Sequence, residues 1–147
     1  MTRDREYQGR VRASFLRQRF MATLGATLEQ IAPGEVQIAL PFNAALTQQH
    51  GYLHAGVIAA VIDSACGYAA LSLMEPGVGV MSAEFKVNLL APAAGSRFIA
   101  VGRVIKAGKT LTVCHGELRA VQPGGEVLVA VLQGTMMAVR GRDGISD

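Results

Sequence analysis

From Val57 to Met74 the chain is almost wholly apolar and holds one carboxylate, Asp63. Placing a charge in such a stretch is costly unless it is paired or used. Apolar surroundings also push a carboxyl pKa toward neutrality, which suits acid–base work. Just upstream stands His54-Ala55-Gly56. His54 could be a general acid, a ligand for the helix start or a conformational anchor; the anchor reading is preferred, with the ring bonding the loop backbone.

Other chemistries fit the remaining residues less well. His50, His54 and His115 have no spacing that builds a metal site, so none is expected. Cys66 and Cys114 form no C-x-x-C pair and read as buried thiols in a reducing, cytoplasmic compartment. Gly108-Lys109-Thr110 lacks the upstream glycine and following helix of a phosphate loop.

The chain has 147 residues, enough for one domain around one core, expected over 1–147. Half the residues are apolar and Trp is absent, so Val, Leu, Ile, Ala and Met must fill the core. The net charge is +3, with Arg3, Arg5, Arg10, Arg12, Arg17 and Arg19 near the start. They alternate with apolar residues and lack interleaved aromatics, which argues against nucleic acid as a partner. A modest positive field suits an anionic small molecule. The charged start, Met1 to Glu6, has no apolar signal region behind it. A membrane span over 55–74 would put Asp63 near mid-bilayer, so a buried helix is expected instead.

The elements that must position these residues can be read from periodicity. Residues 10–24 predict an amphipathic helix with Leu16, Phe20 and Leu24 on one stripe, stopped by Gly25. Strands follow at 26–31 and, with Val36, Ile38 and Leu40 inward, beyond the Pro33-Gly34 turn. A polar loop over 42–53 leads into a helix over about 55–74, apolar nearly all round and ended by Pro76-Gly77. Four strands, about 78–90, 97–106, 110–122 and 126–139, then form an antiparallel meander because their connections are short. In the first, Ser82, Glu84, Lys86 and Asn88 alternate with Met81, Ala83, Phe85, Val87 and Leu89. The last is expected to be buried on both faces or packed on a partner chain. Residues 140–147 read as a loose tail. The economical packing is an α+β domain, a five- to six-stranded antiparallel sheet curled around one long helix, with an extra N-terminal helix.

Three segments, in order, carry a resemblance. They are Leu53-His54-Ala55-Gly56 through Asp63-Ser64-Ala65, Ser82 through Pro92, and Gly102 through Thr110. The chain resembles the hotdog-fold acyl-CoA thioesterases, in particular the phenylacetate-pathway (PaaI-like) branch, over about residues 30–139. The nine-residue step from His54 to Asp63 is similar to that family's H-G-G…D segment. Ala55 stands where the first of those glycines would be, and Gln48 where many relatives carry Asn. The resemblance implies roles for Gln48 and Ser82 in holding water.

The chemistry this implies is hydrolysis of an acyl-CoA thioester with an aryl or medium-chain acyl group. A thioester carbonyl gains negative charge on oxygen under attack. Helix N-termini offer unpaired N–H groups and a positive dipole end, so residues 55–56 are a natural oxyanion site. Asp63 supplies the other half, as general base or as nucleophile. Tyr68, Leu71 and Met74 could line the acyl pocket, and Arg103, Lys106 and Lys109, beside Thr110, could meet coenzyme A phosphates. No cofactor is expected, coenzyme A being part of the substrate.

Nine residues of helix rise about 13 Å at roughly 1.5 Å each, whereas reacting groups must approach within roughly 3–3.5 Å. Asp63 should therefore act on a carbonyl held at residues 55–56 of a second copy. An obligate two-fold homodimer is expected, and the resemblance implies a dimer of dimers. Two rival functions remain: a hotdog-type hydroxyacyl dehydratase or hydratase using His54 and Asp63, and a non-catalytic acyl-CoA-binding dimer.

Overall fold

The computed structural model describes residues 6–147, so Arg3, Arg5 and most of the charged start lie outside the described residues. Two short helices lead, α1 (Tyr7–Arg17) and α2 (Arg19–Leu24). Strands β1 (Thr27–Ala32) and β2 (Glu35–Pro41) precede the long helix α3 (Ala55–Leu71). Strands β3 (Gly79–Leu89), β4 (Arg97–Ala107), β5 (Leu111–Gln122) and β6 (Gly125–Val139) complete the chain. They form one antiparallel sheet in the order β1-β2-β4-β5-β6-β3.

This order corrects the expected four-strand meander. Strands β4, β5 and β6 do run as a meander, but β3 pairs with β6 at the far edge and β4 joins β2. The connection over residues 90–96 has length to spare. Seven residues can reach over 20 Å, while three strand spacings are roughly 14 Å and less across a curled sheet. Its backbone is anchored on the way, with Leu90 N–H donating to Val129 O and Ser96 N–H to Val121 O.

The α3 helix lies against the concave face of the sheet. Glycines at the crossing set the depth of this contact. A Cβ on Gly102 would overlap the Ala65 carbonyl group, and one on Gly116 would overlap the Ile62 side chain. Val36, Ile38 and Leu40 of β2 are fully buried, as their alternation predicts. At the far end of α3, buried Ser72 accepts from Gly34 N–H at 2.8 Å and donates to Ala69 O at 2.7 Å. The helix is thereby tied to the β1–β2 turn.

The N-terminal helix differs from the expectation. It breaks at Gln18, whose backbone is extended, and it buries Val11, Phe15, Met21 and Leu24 while Leu16 and Phe20 are exposed. The reason is angular. At about 100° per residue, in one straight helix Met21 would lie about 80° and Leu24 about 140° round from Val11, on the side away from Phe15. A break lets both pairs face the core. The Phe15 ring meets Tyr68 edge-on, with centroids 5.7 Å apart.

Strand β3 also departs from simple alternation. A bulge between Ser82 and Glu84 shifts the register, so Val80 and Ser82 share the inner face with Phe85 and Val87 instead of with Glu84. Strand β6 buries Ala130, Leu132, Met136 and Ala138 on one face, while its other face is partly open, so it is not buried on both. Residues 140–147 are not loose. Ile145 N–H donates to Arg142 O, and Asp147 forms an ion pair with Arg10 at 2.7 Å.

Candidate active site

The start of α3 is fixed from two sides. His54 N–H donates to Leu46 O at 2.9 Å, and Leu53 N–H donates to Ala93 O in the crossing connection at 3.2 Å. His54 is the N-cap, with an extended backbone and an imidazole Nδ1 that accepts from Gly56 N–H at 2.8 Å. The ring therefore anchors the helix start, but through an amide of the helix's own first turn and not through the loop backbone as expected. A Cβ on Gly56 would come within 3.0 Å of that nitrogen, which explains a glycine there. The Gly56 amide is thus occupied by His54. The Val57 and Ile58 amides donate to His54 O. The Ala55 N–H, by contrast, has no acceptor among the described residues.

Two turns further on, Asp63 sits half-buried on the one face of α3 that the sheet leaves open. Ser82 of β3 donates its hydroxyl to Asp63 Oδ1 at 2.7 Å. Burial raises the Asp63 pKa above its ordinary value, and the Ser82 hydrogen bond opposes that rise. The group is a carboxyl whose pKa burial raises and which one hydroxyl aims. Ser82 Oγ also lies 3.4 Å from Met136 Sδ, which packs it from behind.

Asp63 opens into a cleft of about 150 Å³ lined by Ser14, Gln18, Tyr68, Leu71, Val80 and Ser82, among others. Tyr68 and Leu71 are thus placed with Asp63, while Met74 lies outside the lining. Ser14 and Gln18 were not expected there. The break at Gln18 brings this wall against α3, with Ser64 Oγ 3.4 Å from Gln18 Oε1. No periodicity signals it.

A second cleft, of about 420 Å³, lies at the start of α3 and is lined by Gln48, Tyr52, Ala55, Leu89, Leu90 and Pro92, with four others. Gln48 accepts from the His50 N–H. Within one chain, then, the structure pairs Asp63 with Ser82 and, separately, Ala55 with Gln48. Lys106, Lys109 and Thr110 lie on the exposed β4–β5 hairpin and line neither cleft. Arg103 is paired with Glu35 at 2.9 Å.

Cys66 and Cys114 are buried and free, and burial pushes both thiols up, away from a reactive thiolate. His115 is a half-exposed strand residue 3.4 Å from Glu117. No cluster of metal-binding side chains occurs among the described residues. No helix among them is long and apolar enough to cross a membrane.

Comparison with known proteins gives a consistent result. The family described as the thioesterase superfamily matches residues 50–127, which include both helix-start and Asp63 segments. A provisionally named esterase of Saccharolobus solfataricus is 37% identical over 90 residues, 61% of this chain. The chain spans 59% of that relative's length. The crystal structure of a thioesterase family protein of Silicibacter pomeroyi is 50% identical and superposes with a TM-score of 0.90 over 92% of this chain and 99% of that one. The PaaI protein of the Escherichia coli phenylacetic acid degradation operon superposes with a TM-score of 0.82 at 21% identity, over 92% and 95% of the two chains, and so shares the hotdog fold.

Proposed function

The chain belongs to the thioesterase superfamily, and from that premise we propose that it hydrolyses acyl-CoA thioesters in sites shared by two copies of the chain. The observation that carries this reading is the Asp63–Ser82 pair, a desolvated carboxylate oriented toward an open cleft. Asp63 acts there as general base toward water or as nucleophile. The Ala55 N–H, free at the helix start, meets the oxyanion that forms on the thioester carbonyl.

Three features support the second copy. The Asp63 cleft and the Ala55 cleft are separate within one chain. The open stripe of α3 is Gly56, Ala59, Ala60, Asp63 and Gly67, at helical spacing, and small residues there permit a second helix to approach closely. Strand β3 is an unpaired sheet edge with Met81, Phe85 and Leu89 exposed, a surface that soluble proteins cover. An antiparallel partner brings Asp63 of one chain beside Ala55 and Gln48 of the other. Gln48 then positions water, and Lys106 and Lys109 are free to meet coenzyme A phosphates across the assembly.

The test is thiol release from benzoyl-, phenylacetyl- and fatty acyl-CoA esters. The reading expects turnover of at least one ester and loss of it in Asp63→Ala. Absence of release from all of them ends the enzyme claim. Tight binding without release, unchanged by Asp63→Asn, would indicate an acyl-CoA-binding dimer instead. Dehydration of a 3-hydroxyacyl ester without release would indicate the dehydratase chemistry.

A further inference from the structure

The Asp63 cleft has a wall that no motif predicts, contributed by the end of the chain. Ser146 and Asp147 line it together with Asp63, Gly67, Tyr68 and Leu71. The contact is built into other elements. Asp147 Oδ2 receives Arg10 Nη1 at 2.7 Å, with both side chains largely shielded from solvent. The same guanidinium donates to Met74 O at 2.7 Å, just past the end of α3. Arg17 donates to the Asp147 backbone oxygen. One residue before this pair, Ile145 lies on Gly79 at the start of β3. A Cβ on Gly79 would come within 2.5 Å of Ile145 Cγ2 and 3.2 Å of the Ser146 nitrogen. A glycine at that position therefore leaves the seat that the segment occupies.

We infer that residues 145–147, seated on Gly79 and clamped by Arg10 and Arg17, close the far end of the Asp63 cleft and set the size of acyl group it admits. This rests on the thioesterase reading. From Asp63 to Leu71 the cleft follows eight residues of α3, about 12 Å of helix. Its volume of about 150 Å³ is comparable to that of an engineered cavity that accepts a single benzene ring. A ring or a short chain fits in front of the wall. A long chain meets Ser146 and Asp147. Arg10 acts through the segment it holds and is a positioning residue; Ser146 and Asp147 determine selectivity.

The experiment compares wild type, Arg10→Ala and a chain stopped after Ile145. The first readout is kcat/KM across straight-chain acyl-CoA esters from four to twelve carbons. Both variants should raise the twelve-to-four-carbon ratio on the order of tenfold, equivalent to about 1.4 kcal/mol of discrimination. An unchanged ratio, with all esters reduced alike, overturns the inference. The second readout needs no turnover: amidation of Asp63 by a water-soluble carbodiimide, followed by mass spectrometry. Opening the wall should speed Asp63 labelling several-fold in both variants. Equal rates overturn the inference even where the enzyme is active. Faster labelling without thiol release from any ester in wild type would keep the wall and refute the thioesterase reading.

Discussion

The Ser82 hydroxyl points at Asp63 Oδ1 from 2.7 Å, across the gap between β3 and α3. Both residues are held on opposite sides of that gap by features with another purpose. Asp63 rides on a helix seated by Gly102 and Gly116. Ser82 faces inward because the bulge that follows it has not yet shifted the strand. Ser82→Ala should therefore lower turnover on the order of 10- to 100-fold, the kinetic equivalent of one hydrogen bond to a charged group. Steady-state kinetics on the best ester check this. A variant with wild-type kcat would remove Ser82 from the site.

The same pair predicts a pH profile. Burial raises the Asp63 pKa and the Ser82 bond lowers it. Activity that needs the ionised carboxylate should rise with pH through a midpoint above the ordinary aspartate range near 3.8. In Ser82→Ala the opposing bond is gone, so that midpoint should move higher. A downward move would contradict the assigned balance.

Stability should respond in the opposite sense to activity. A carboxyl whose folded pKa is raised favours the neutral form, so its stabilisation is full below the unfolded pKa. It is lost as pH rises through the folded pKa. Asp63→Asn keeps a neutral side chain at every pH. It should melt above wild type at pH 7.5, and the gap should close as pH falls toward 3.8. Thermal unfolding of both proteins across pH checks the sign.

His54 is predicted to act as a cap. Removing an N-cap costs about 0.5–2 kcal/mol, and Asn or Ser restores most of it. Both the stability and the turnover of His54→Asn should then stand close to wild type, while His54→Ala loses stability. Urea unfolding with parallel kinetics separates the roles. A stable His54→Asn protein with abolished turnover would assign His54 to proton transfer.

The depth of α3 in the sheet is testable alone. A methyl at Gly102 has no room against the Ala65 carbonyl, and overpacking of this kind typically costs about 1–3 kcal/mol. Gly102→Ala should lower the unfolding free energy by that amount, read as a lower urea midpoint at unchanged m-value, and, by tilting α3, reduce turnover as well.

The central helix and Asp63 were legible because a lone carboxylate in an apolar run has few explanations, and because α3 is apolar on nearly every face. The strands were legible from a different signal, the period-two alternation that survives in β2. Strand order was not, since a seven-residue connection can span three strand spacings as easily as turn between two neighbours. The break at Gln18 carries no Gly or Pro signal and follows from where Val11 and Met21 must point. The bulge beside Ser82 is likewise silent, and so is the docking of residues 145–147, which depends on Arg10 and Gly79 far away in sequence. Occupation of the Gly56 amide by His54 could have been anticipated, because a side-chain acceptor directly before a helix commonly takes an amide of the first turn.

Shared sites are tested most directly by complementation. Ala55→Pro deletes the one free amide at the start of α3 with little disturbance, since Pro is favoured at the first helical position and His54 already has the extended backbone that precedes proline. Ala55→Pro and Asp63→Ala should each be folded and inactive. Refolded together in equal amounts, half the dimers are mixed and each regains one intact site, so about one quarter of wild-type thiol release should return. No recovery in demonstrably mixed dimers, or full activity of Ala55→Pro alone, would contradict a site built from Asp63 of one copy and Ala55 of the other.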